Sequence, residues 1–100
     1  MNEFSLSEIS ELTRFFSAIA EDPRIGTTHI SLYMALFQFY NLNGFQNPVL
    51  ITRSSVMKVA KINGIATYHR CIKDLQECGY ILYEPSFNSA IGSKIYLIRV

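Results

Sequence analysis

A chain of 100 residues that is 49% hydrophobic and 13% aromatic, with a formal net charge of +1, holds enough apolar material for one cored domain without disulfides or metal. Its longest weakly polar run, residues 29–40, is too short and too broken by polar side chains to span a bilayer, which takes roughly 20 apolar residues. The acidic start "MNEFSLSEIS" lacks the basic segment and apolar run of a secretory signal. A cytoplasmic protein that does not enter membranes is expected.

In chain order, "SLSEISELTRFFSAIA" places Ser5 and Glu8 at capping-box spacing and steps its apolar residues Ile9, Leu12, Phe16 and Ile19 by three and four, so an amphipathic helix is predicted. "EDPRIGT" marks a connection through Pro23 and Gly26. In "TTHISLYMALFQFYNLNG", Thr28 is the expected N-cap and Asn43–Gly44 the stop, with no Asp, Glu, Lys or Arg between Thr28 and Gly44. Leu32, Tyr33, Leu36, Phe37, Phe39 and Tyr40 cover most of that helix's circumference, so it needs partners on more than one side: the core, and either the N-terminal helix or a second subunit.

Pro48 introduces a brief extended run, "VLI", and Thr52 caps "RSSVMKVA", a helix of about two turns. In the turn "KING", Asn63 and Gly64 are the residues best suited to a positive φ. A second helix follows, closed by Gly79, and the segments "YILYE" and "KIYLIRV" flank a polar loop in the manner of a hairpin. Cys71 and Cys78, seven residues apart on that helix, lie about 10 Å apart along its axis, beyond the roughly 7 Å Cα separation a disulfide allows. They read as small apolar residues at the edge of a core. His29 and His69 are too far apart in sequence to suggest a zinc site. With no Gly-rich phosphate loop and no carboxylate pair, neither a cofactor nor an enzymatic activity is expected.

Charge is unevenly distributed. Residues 1–51 carry two basic against five acidic side chains, and residues 52–100 seven against three. The second half is the one that attracts a polyanion. On the helix of residues 64–78, Ile65, Tyr68, Ile72 and Leu75 share a core face with Cys71 at its flank. The opposite side carries Ala66, Thr67, Arg70, Lys73, Asp74 and Glu77, with His69 near the boundary. Its bases come before its acids, against the preference of the helix dipole, and an external anion accounts for that order. The plain alternative is a solvated face on which Arg70 pairs with Asp74 at i,i+4.

The segments "ITRSSVMKVAKING", "ATYHRCIKDLQECGYI" and "YILYEPSFNSAIGSKIYLI" together resemble a winged helix-turn-helix domain over roughly residues 27–100. They are similar to bacterial winged-helix regulators of the multiple-antibiotic-resistance type, and to small winged-helix proteins of bacterial mobile elements. The resemblance implies a mainly α fold with a small β-hairpin: one domain over residues 1–100, with residues 1–26 as an extra N-terminal helix and connection. It also implies binding of double-stranded DNA, with the second helix in the major groove. Thr67, Arg70 and Lys73 would make groove contacts, with Asn63, Ala66 and His69 at the margin. Arg53, Ser54 and Ser55 would meet phosphate, and Lys94, with Asn88, Ser89 and Ser93, would serve the wing, whose apolar Ile91 and single base depart from the family pattern. A homodimeric transcriptional regulator is the expected function, its subunits joined through the first two helices. An accessory DNA-binding role in replication or excision of a mobile element, and a winged-helix module that binds protein, are the alternatives.

Overall fold

A computed structural model describes residues 6–86, 88 and 91–98. Among the described residues are four helices and a three-stranded antiparallel sheet: α1 (Leu6–Ala20), α2 (Thr27–Leu42), β1 (Val49–Ile51), α3 (Arg53–Ala60), α4 (Ile65–Glu77), β2 (Ile81–Glu84) and β3 (Ser93–Leu97). The Cα radius of gyration of 12.9 Å is that of a compact domain of this length, about 13 Å.

α2 is the central element. Leu32, Tyr33, Ala35, Leu36, Phe37 and Tyr40 are buried around it, and α3, α4, β1 and β3 all pack against it. That placement explains a helix without charge, since few of its positions have water to face. α1 supplies the further cover. Phe15 is fully buried, its ring stacked on Tyr33 with centroids 3.6 Å apart and set edge-on to Tyr80. The expected stripe is thereby corrected. Leu12, Phe15 and Ile19 form the inner face, while Ile9 and Phe16 stay 46% and 43% exposed. Ser5, the expected cap of this helix, lies outside the described residues.

α2 also begins earlier than expected. Its N-cap is Gly26 rather than Thr28, because His29 Nδ1 accepts the Gly26 N–H at 3.0 Å and takes over the capping role. With Nδ1 accepting, the ring proton sits on Nε2, which donates to Asp74 Oδ2 at 2.8 Å. The second element to join α2 is α3: Ser31 Oγ donates to the carbonyl of Ala60 at the α3 C-terminus, satisfying one of the carbonyls a helix end leaves open. Beside these contacts, Asp22 accepts from Arg24 Nε at 2.8 Å and from the Tyr80 hydroxyl at 3.1 Å. The Arg24 guanidinium is the main reason its carboxyl is held well below the ordinary range.

The turn between α3 and α4 differs from expectation in the residue that bends it. Lys61 takes the left-handed conformation, φ 62°, and closes α3 through its N–H to Met57 and Lys58 carbonyls. Gly64 is instead the extended N-cap of α4, φ −92°. The α3 C-terminus therefore falls two residues before the sequence's best turn formers, and Lys61 bears the strain.

The sheet runs β1-β3-β2, so the segment read only as extended is a third strand beside the hairpin. Val49 pairs with Ile95 and Ile51 with Ser93 on one side of β3; Ile81 pairs with Leu97 and Tyr83 with Ile95 on the other. β1 is lengthened by a side chain, since Asn47 donates to and accepts from the Leu97 backbone at 3.0 Å each way. On the free edge of β2, Gln76 Oε1 accepts the Tyr83 N–H at 2.6 Å, which blunts a strand edge that could otherwise pair with another chain.

Gly92 enters β3 with φ +83°, and a Cβ there would lie 2.7 Å from the Ile51 carbonyl oxygen. Gly92→Ala is accordingly expected to cost about 2 kcal/mol or more, read as a lowered thermal midpoint by circular dichroism; an unchanged midpoint would contradict the tight seating of the hairpin on β1.

Candidate nucleic-acid interface

α4 is oriented by its apolar stripe. Tyr68, Cys71, Ile72 and Leu75 are buried against α2 and the sheet, and burial pushes the Tyr68 hydroxyl up to about 12 and raises the Cys71 thiol. Both stay protonated and serve as packing. Cys71 is thus inside the core rather than at its flank, Cys78 is half-buried at the edge, and both are free thiols. Ile65, expected on this face, is instead 50% exposed, because it extends the stripe one turn past the material that covers it.

The outward side of α4 holds Ala66, His69, Arg70 and Lys73, all exposed. Thr67 is half-buried and shares its side of the helix with Asp74, which is bound to His29 of α2. Thr67 therefore lies toward the body of the domain. The Arg70–Asp74 pair of the plain alternative does not form. Asp74 belongs to His29, and Lys73 lies 3.9 Å from Glu77. Among the described residues, Arg53, Lys58, Lys61, Arg70 and Lys94 make no ion pair.

Thr52 caps α3 as expected, its Oγ1 accepting the Ser55 N–H at 3.3 Å and donating to Ser55 Oγ at 2.8 Å. Ser55 is held in that cap yet keeps its own hydroxyl proton to donate. Arg53 and Ser54 are exposed beside it. An open cleft of about 420 Å³ lies between this end of α3, His69 of α4 and the hairpin, where Tyr83, Asn88 and Ser93 form the far wall. Ser93 Oγ lies 3.3 Å from the Tyr83 hydroxyl, and Ser86 Oγ accepts the Asn88 N–H at 3.1 Å, fixing that wall.

The structure therefore brings Arg53, Ser54, Ser55, His69 and the hairpin to one side, next to Ala66, Arg70 and Lys73. Asn63 is exposed in the turn between α3 and α4. Lys94 stands apart from the cleft lining. It is the second residue of β3, opposite Leu50 and Glu84, on the outer sheet face and not at the loop tip; Ser89 lies outside the described residues. Sequence reasoning missed Lys58 and Lys61, exposed on α3 and its cap, although both were visible as cations in an acid-free stretch. No Asp or Glu occurs between Asp22 and Asp74, so both of these helices, up to the third turn of α4, carry only neutral and positive side chains.

Compared with protein-family models, curated proteins and solved structures, the chain has no match. The functional reading rests on this surface.

Proposed function

We propose that this chain is a winged helix-turn-helix protein that binds double-stranded DNA, with α3–turn–α4 as the helix-turn-helix and β2–β3 as the wing. One observation carries the reading: α3, its cap and α4 are acid-free up to Asp74 and expose Arg53, Lys58, Lys61, Arg70 and Lys73, and the start of α3 and His69 of α4 line a polar cleft with the hairpin. A mainly basic exposed surface beside a polar recess suits a polyanion with grooves. α4 is the element for the major groove, where Arg70 can pair with guanine and Lys73 with phosphate or guanine. Arg53 and Ser54 meet the backbone at the start of α3.

Sequence-specific transcriptional regulation by a homodimer is the role we assign. Ile9 and Phe16, exposed on one side of α1, are the side chains that would join two copies. Two-fold symmetry then sets two α4 helices about 34 Å apart on a pseudo-palindrome, and concentration-dependent sedimentation tests the association. The protein-binding alternative draws on the low overall charge and the weakly basic wing; burial of α2 removes only the exposed charge-free surface that would have favoured it.

The test is fluorescence anisotropy of a labelled random-sequence duplex titrated with the protein at several salt concentrations. Four or five phosphate contacts give a log–log salt slope of about −4. Binding that ignores salt, or no binding at low salt, would overturn the proposal.

A further inference from the structure

α4 carries the same base-to-acid spacing twice. Arg70 precedes Asp74 by four residues, and Lys73 precedes Glu77 by four, the separation at which helix side chains meet. Only the second pair forms: Lys73 Nζ lies 3.9 Å from Glu77 Oε1, whereas Arg70 makes no ion pair among the described residues. The difference is His29. Its Nε2 holds Asp74 Oδ2 at 2.8 Å, and its Nδ1, accepting the Gly26 N–H at 3.0 Å, fixes both the tautomer and the ring against the start of α2. The imidazole is only 12% exposed, so this donor stands in place and is little screened by solvent. Arg70 would have to order a long exposed side chain to compete for the same carboxylate.

Resting on the DNA-binding reading above, we infer that His29 is a positioning residue for that surface: by holding Asp74 toward α2 it keeps Arg70 free to meet DNA. The effect passes through the charge of Asp74, so it vanishes when that charge is removed. A residue of α2, a helix with no cation of its own, thereby sets how much of the positive charge of α4 is available to a polyanion.

The experiment is a double-mutant cycle on the full chain, read as affinity for a labelled random-sequence duplex by fluorescence anisotropy. His29→Ala is expected to weaken binding about three-fold, the weight of one exposed ion pair, and His29→Ala with Asp74→Asn to bind as well as Asp74→Asn alone. In the otherwise unaltered chain Asp74→Asn gains less, because its carboxylate is already held away from Arg70. Since His29→Ala also uncaps α2, His29→Glu repeats the cycle with the cap kept: Glu at that position closes a capping box yet has no proton to give Asp74. Its added acid is present with and without Asp74→Asn and cancels from the gain, and thermal midpoints confirm that each variant is folded. A loss that persists in the double variants marks a purely structural role for His29, and an equal gain from Asp74→Asn in every background means that His29 does not hold Asp74 off Arg70. Either result would overturn this inference while leaving DNA binding intact. Failure of the unaltered protein to bind the duplex would overturn the DNA-binding reading itself.

Discussion

Replacing Arg70 and Lys73 together by alanine is expected to abolish most binding to duplex DNA while leaving the domain folded. Both side chains lie on the exposed side of α4, where substitutions usually change stability by no more than about 0.5 kcal/mol, so the thermal midpoint should hardly move. Loss of two phosphate contacts would flatten the log–log salt slope by about 1.8. If Arg70 reads a guanine, its bidentate pair adds about 1–3 kcal/mol on the preferred sequence alone. Arg70→Ala by itself separates these roles. A loss confined to the preferred site marks a base contact, and an equal loss on every sequence marks a phosphate contact. Undiminished binding by the double variant would remove α4 from the interface.

Phe15→Ala should produce the largest loss of stability available from α1. The side chain is fully buried and fills the space between Tyr33 and Tyr80 through a stacked and an edge-on ring contact. Truncating a buried phenylalanine costs about 3–5 kcal/mol through lost burial and the cavity left behind, a large share of the roughly 5–15 kcal/mol that holds a domain together. Near 4–8 °C per kcal/mol, the thermal midpoint should fall by more than about 12 °C. Phe16→Ala, at a residue 43% exposed, should cost far less. Equal shifts in the two variants would mean that α1 does not pack as described.

The adjacent pair Phe15 and Phe16 shows how far periodicity carries a reading. Steps of three and four fit both 9-12-16-19 and 12-15-19, and only the rings of Tyr33 and Tyr80, far along the chain, decide between them. Local chemistry did reveal α3, whose cap Thr52 is written into the sequence, and the Asn43–Gly44 stop of α2, where Gly44 has φ 68°. It also pointed to the outward side of α4, because four neighbouring positions there are polar or small. Local chemistry misled at the "KING" turn. Asn63 and Gly64 are the better residues for positive φ, yet the end of α3 puts that demand on Lys61.

Non-local partners escaped altogether. His29 and Asp74 are 45 residues apart; the His29 ring that caps α2 at Gly26 also binds Asp74 and takes it away from Arg70. That exchange matters for the site, since it leaves Arg70 without a carboxylate partner among the described residues. β1 gave no sign of its place beside β3, because a three-residue strand has no periodicity to read, and its extension by the Asn47 side chain depends on Leu97, 50 residues on. Ile65 fits the core stripe by spacing alone; its exposure follows from where the neighbouring elements end.

The most direct test of the central claim is backbone amide chemical-shift mapping of the full chain as a short duplex is added. Shifts concentrated at residues 53–55, 58–73 and the hairpin around 86–94, with α1 and the buried side of α2 unaffected, are the expected result. Shifts centred on α1, or none at a duplex concentration well above the protein's, would contradict the assignment of α3, α4 and the hairpin as a DNA-binding surface.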